Sequence, residues 1–146
     1  MPGRPDMPDA IEKRNILASQ EVDAEELNEY GRMFLEKDML TDAFNFFEKS
    51  GSREGLEKVK ARVIEEGLTA VLFNLARSRH IELSDEDWRA AGENAMKLGK
   101  YTYAAQAFDR LGDEERLAEA RQHIPGAPQP EPAEEENDEG EATEDS

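Results

Sequence analysis

Residues 88–112, WRAAGENAMKLGKYTYAAQAFDRLG, and residues 27–51, LNEYGRMFLEKDMLTDAFNFFEKSG, are two versions of one pattern set 61 positions apart. Extended to 25–62 over 86–123, the overlay needs no gap. It pairs Glu25/Glu86, Gly31/Gly92, Thr41/Thr102, Ala43/Ala104, Phe47/Phe108, Gly51/Gly112, Glu54/Glu115 and Leu56/Leu117. Self-similarity at a fixed offset marks a repeat architecture. The intervening residues have the pattern of another helical pair, so the offset reads as two units of about 30 residues each. The shared positions carry a packing rule. A glycine on the first helix and an alanine on the second let antiparallel axes approach closely, and a phenylalanine fills the gap beside them.

Working outward, apolar residues recur at helical spacing throughout the body. Leu27, Tyr30 and Phe34, with Asp23 as N-cap and Glu26 as its partner, predict a helix over about 24–37. Leu40, Ala43, Phe44 and Phe47 predict a second over about 40–50, stopped by Gly51. Leu56, Val59 and Val63 define a third that ends near Gly67, and Leu68, Val71, Leu72, Leu75 and Ala76 a fourth over about 68–79. Ser84 caps a fifth over about 85–98, and the last two cover about 101–111 and 113–123 with Gly112 between them. No run alternates as a strand does. The expected fold is all-α: a short α-solenoid of three antiparallel helical hairpins plus a C-terminal capping helix over residues 23–123.

The ends differ in character. All seven prolines lie at positions 2, 5, 8, 125, 128, 130 and 132, and all ten aromatic residues lie between Tyr30 and Phe108. The helix-breaking residue is thus absent from 9–124, where the core-forming rings are found. Residues 1–22 are expected to be a flexible segment. Residues 124–146 form a Pro-rich tail with nine acidic side chains, no basic ones and no aromatics, which predicts disorder. That tail holds over half of the net charge of −17. It is either a solvating extension or a polyanionic element in its own right.

The pattern resembles the tetratricopeptide repeat, whose units run W-x2-L-G-x2-Y, then A-x3-F, then Pro. Trp88-x2-Ala91-Gly92, Gly99-Lys100-Tyr101 at the turn and Ala104-x3-Phe108 carry the likeness best. Leu27-x2-Tyr30-Gly31 followed by Ala43-x3-Phe47 is a second copy without the tryptophan, and the middle unit, Leu56 to Ala76, is only weakly similar. Neither clear copy has the closing proline. The resemblance implies a groove lined by the first helix of each hairpin and occupied by a segment of a partner protein. Transferred by register from Gly31 and Gly92, the groove positions are Glu25, Asn28, Arg32, Leu35 and Glu36, then Glu86, Arg89, Glu93, Met96 and Lys97. Leu35 and Met96 would be exposed apolar anchors at equivalent places. Family members that clamp a chaperone's C-terminal carboxylate place lysine and asparagine where Asn28/Arg32 and Arg89/Glu93 stand. That clamp is absent here.

Nothing in the chain points to catalysis or to a cofactor. There is no cysteine, and the two histidines, His80 and His123, have no second ligand at metal-binding spacing. No phosphate-cradling glycine motif or nucleophile elbow occurs. Net charge −17 and a pI near 4.5 oppose direct contact with nucleic acid or insertion at an anionic membrane. The start of the chain has no apolar signal-peptide core, so a cytoplasmic protein is expected. One basic stretch runs against the trend between Lys49 and Arg79: it either holds the acidic tail or is an ordinary charged face. The expected function is a non-catalytic adaptor or scaffold that binds protein, as a monomer or with weak self-association. The alternatives are an acidic-tailed regulator that masks a basic protein or competes with nucleic acid, and a subunit of a larger helical assembly joined through its last helix.

Overall fold

The computed structural model describes residues 6–127, which form helices and connecting turns with no strand among them. In chain order the helices are α1 (Ala10–Ala18), α2 (Ala24–Glu36), α3 (Leu40–Ser50), α4 (Arg53–Glu66), α5 (Thr69–Leu75), α6 (Asp85–Lys97), α7 (Tyr101–Leu111) and α8 (Glu114–Gln122). Asp23, Ser52, Ser84 and Asp113 each accept an N–H of the first turn, at α2, α4, α6 and α8. Gly51, Gly67 and Gly112 close α3, α4 and α7 in the left-handed conformation.

Helices α2/α3 and α6/α7 pack as hairpins, as do α4/α5. Helix α4 touches both α2 and α6, while α5 touches both α3 and α7, so the first helices of the pairs meet in succession and so do the second. The contacts repeat in register. Counting from the first residue of each helix, position 8 of α2 (Gly31) and position 3 of α4 (Gly55) both abut the ring of Phe47. A Cβ on Gly31 would lie 2.6 Å from that ring. Position 8 of α4 (Lys60) bonds position 3 of α6 (Asp87) at 3.4 Å. Position 8 of α6 (Gly92) would place a Cβ 2.9 Å from Phe108, whose ring lies 5.1 Å from the guanidinium of Arg116, position 3 of α8. Ala43, Ala104 and Phe108 have no exposed surface and Phe47 retains only 2%. The small residues read as contact points are at the contacts.

Two segments depart from the sequence reading. The N-terminal segment, expected to be flexible, contains α1. A reciprocal capping box between Asp9 and Glu12 starts that helix. Met7, Ile16, Leu17 and Val22 pack against the main core, and Lys13 reaches Asp42 of α3 at 2.9 Å. Those four side chains supply the apolar contact that the lack of aromatics concealed. Under the same segment, burial and then the Glu26 and Glu12 carboxylates raise the Tyr30 hydroxyl above its ordinary pKa.

Helix α5 ends at Leu75 and does not continue to residue 79. The carbonyls of Asn74 and Leu75 accept the N–H groups of Arg77 and Ser78, and the Ser78 hydroxyl accepts the N–H groups of His80 and Ile81. Glu48 of α3 accepts from the Ser78 hydroxyl at 2.6 Å and from the Arg79 N–H at 3.0 Å. Ile81, only 4% exposed, then anchors the loop in the core. The expected acidic tail from residue 128 onward, and residues 1–5, lie outside the described residues.

Candidate functional site

The ten groove positions fall on α2 and α6 at positions 2, 5, 9, 12 and 13 of each helix. Both helices turn their opposite faces, through Leu27, Gly31 and Phe34 and through Trp88, Gly92 and Ala95, into the core. Glu25, Arg32, Glu36, Glu86, Arg89 and Lys97 are exposed, while Asn28, Leu35, Glu93 and Met96 are half-buried.

Several of these side chains already have partners. Asn28 Oδ1 accepts from the hydroxyl of Ser50, so it braces the end of α3 against α2. Arg32 pairs with Glu29 at 2.7 Å one turn back. Both carboxylate oxygens of Glu93 accept from Arg116 of α8, through its Nε and Nη2. Hydrogen bonds to Glu93 and then to Glu119 raise the Arg116 pKa and keep it protonated. Glu93 therefore fastens the last helix to the stack. Leu35 and Met96 were expected as exposed anchors. Each instead packs partly against a core cluster, Leu35 on the main one and Met96 on the smaller one around Phe108, leaving an edge outward. Position 12 lies at the border between the buried stripe and the open face, and this border placement explains the correction.

The sequence reading missed the contribution of α4. Because α4 lies between α2 and α6, its own positions 2, 5, 9, 12 and 13 complete the face with Glu54, Glu57, Ala61, Ile64 and Glu65. Their exposure follows that of α2 in order, with Glu57 and Ile64 half-buried and the rest exposed. The unit lacks the glycine and phenylalanine that advertise the outer copies. Its register is nevertheless readable from the N-caps, because Asp23, Ser52 and Ser84 stand at the same place before each first helix. Leu35, Ile64 and Met96 thus form a row of half-buried apolar residues across three helices. No helix among the described residues packs onto this face, apart from the reach of Arg116 at its edge.

The basic stretch from Lys49 to Arg79 does not assemble into one patch. Lys58 pairs with Glu54, Lys60 with Glu57 and Asp87, and Arg62 with Asp38 and Glu66. Arg53, Arg79 and His80 line an open cleft of about 410 Å³, where Glu57 and Glu82 balance them. His80 Nε2 is 4.0 Å from Glu48, and His123 stacks on Tyr101 at 4.3 Å. Among the described residues no group of His, Asp and Glu is arranged to hold a metal, and no helix is long and apolar enough to cross a membrane.

No family model, no curated protein and no solved structure matches the chain.

Proposed function

We propose that the chain is a non-catalytic protein-interaction module: a tetratricopeptide-like helical solenoid that binds a segment of a partner protein across α2, α4 and α6. The observation that carries this reading is the open face itself. Three helices in the same register present a row of partly exposed apolar side chains, flanked by charges, and the rest of the described chain leaves that row uncovered. Stacked hairpins offer such an extended surface in place of an enclosed, water-free pocket. Apolar anchors inside a charged rim are the usual anatomy of a protein interface. The buried face of α8 supports the same reading over assembly through the last helix. Leu117 and Ala120 are covered within the chain, while Glu114, Glu115, Glu119 and Gln122 face water.

The test is affinity capture with three proteins: the full chain, the chain ending at Ala127, and the full chain carrying Leu35→Gln with Ile64→Gln, its helicity checked by circular dichroism. A module that binds through its face retains its partner when residues 128–146 are removed and loses it in the face variant. Loss on truncation, with steep salt dependence beforehand, would instead assign the function to the acidic tail.

A further inference from the structure

The charges along the open face are unevenly placed, and this bears on what fits there. Position 2 is glutamate in all four capped first-type helices: Glu25, Glu54, Glu86 and Glu115, every one exposed. Acidic residues in a first turn complement the helix dipole, which accounts for each singly. Their alignment into a row follows from the stacking. The half-buried apolar row, Leu35, Ile64 and Met96, lies ten residues further along the helices, about 15 Å away at 1.5 Å per residue.

Between and beside these rows, the two ends of the face differ. On α6 the carboxylate of Glu93 is held by Arg116, which leaves Arg89 and Lys97 against Glu86. On α2 and α4 the acids dominate. Arg32 is taken by Glu29 and Lys58 by Glu54, while Glu25 and Glu65 have no ion pair among the described residues.

Resting on the reading of this face as a protein-binding surface, we infer that its occupant is a basic amphipathic helix of a partner protein. Its apolar side chains seat on Leu35, Ile64 and Met96, and its Lys and Arg side chains point toward the glutamates of α2 and α4. The dimensions agree. Neighbouring packed helices lie about 8–10 Å apart, and residues seven apart on a helix are separated by about 10.5 Å. A helix crossing the stack therefore brings one apolar residue per heptad to each of the three. A helix about 10–12 Å wide, with long basic side chains on one flank, spans the distance to the glutamate row. An acidic occupant would instead meet like charge at Glu25 and Glu65, which have no ion pair among the described residues.

The test uses the full chain and two synthetic probes. One is an amphipathic peptide of about 18 residues with leucine at heptad spacing and lysine along one flank; the other carries glutamate in place of every lysine. The expected result is that the lysine peptide binds, weakens with added salt, and shifts amide resonances of α2, α4 and α6. In the variant Glu25→Lys/Glu54→Lys/Glu65→Lys the affinity falls about tenfold, the loss of a few exposed charge contacts, and the Glu→Gln triple variant falls between. Circular dichroism confirms that the exposed substitutions leave helicity unchanged. Each variant keeps residues 128–146, so binding that survives charge reversal, or shifts confined to those residues, overturns the inference. Equal binding of the glutamate peptide at the same face overturns the basic occupant while leaving the face as a docking surface. If neither peptide perturbs α2, α4 or α6, the docking surface falls as well.

Discussion

The seam between α2 and α4 and the seam between α4 and α6 are built on the same positions with opposite chemistry. In the first, Phe47 lies against Gly31 and Gly55, and the three fill the space with carbon. In the second, Lys60 stands where α2 has Gly31, and it bonds Asp87 where α4 has Gly55. The aromatic is missing as well. Twenty-nine residues after Phe47, the same offset that separates α2 from α4, stands Ala76, exposed and past the end of α5. Polar groups take over the remaining work. Asn94 donates to the carbonyl of Ile64 at 2.8 Å, Lys100 donates to the carbonyl of Glu66 at 2.8 Å, and Thr69 bonds across to α7. One backbone arrangement therefore admits two fillings: a ring that needs small neighbours, or polar groups that cap the orphan carbonyls at the end of α4.

The difference has energetic consequences, and the largest should appear at the ring. Phe47→Ala opens a cavity against two glycines that cannot fill it, and about 3–5 kcal/mol of stability should be lost in denaturant unfolding. Phe108→Ala should cost a similar amount. A loss under about 0.5 kcal/mol at both, a size typical of surface substitutions, would mean that the rings are not what joins the outer seams.

The same comparison explains how much of the molecule was legible in its sequence. Glycine, alanine and phenylalanine at a shared offset are a visible signal because few residues satisfy close approach, so both outer hairpins and the boundaries of α2, α3, α6 and α7 follow from them. A lysine bonded to an aspartate has no such signature in so acidic a chain, and the register of α4 went unread. Helix α1 was hidden for a related reason. Its contact with the core uses Ile16, Leu17 and a Lys13–Asp42 pair, none of which stands out from a polar segment. On the candidate face, exposed positions such as Arg89 and Lys97 follow directly from helical period. The half-burial of Leu35 and Met96, and the capture of Glu93 by Arg116, depend on neighbours that only the packed structure supplies.

Overpacking probes the outer seam from the other direction. Ala104 is fully buried between α7 and its neighbours, and Ala104→Leu should destabilise by about 1–3 kcal/mol. Thr69 is the one fully buried polar side chain among the described residues, within 2.9 Å of both the Tyr103 carbonyl and the Gln106 side-chain amide. A hydroxyl has a single proton, so it donates to one and accepts from the other once the amide is oriented to suit. Thr69→Val keeps the volume and removes both bonds. Because the Tyr103 carbonyl retains its place in α7 and Gln106 reaches water, the cost should be about 0.5–1.5 kcal/mol by thermal or denaturant unfolding, well below that of the ring.

The middle ion pair should matter less still. The Lys60 and Asp87 side chains retain 19% and 23% of their exposure, so water screens them and the pair contributes within about 1 kcal/mol. Lys60→Met keeps the stem that lies along the seam and removes only the charge. Its stability should stay within about 1 kcal/mol of the parent and become less dependent on salt. If it instead cost as much as Phe47→Ala, the distinction between a packed seam and a polar seam would collapse.

The smallest effect is expected where the chain has no structural use for its residues. Arg89 and Lys97 are exposed on α6 and have no hydrogen bond or ion pair among the described residues. Arg89→Gln with Lys97→Gln should change the unfolding free energy by less than about 0.5 kcal/mol, the range for surface sites without a structural role. Glu93 is the contrast on the same helix face: removing it leaves Arg116 without its main partner and loosens α8, so Glu93→Gln should show a measurable loss where the neighbouring pair shows none. Denaturant midpoints of the two variants, read side by side, separate the side chains on this face that hold the stack together from those left for another molecule.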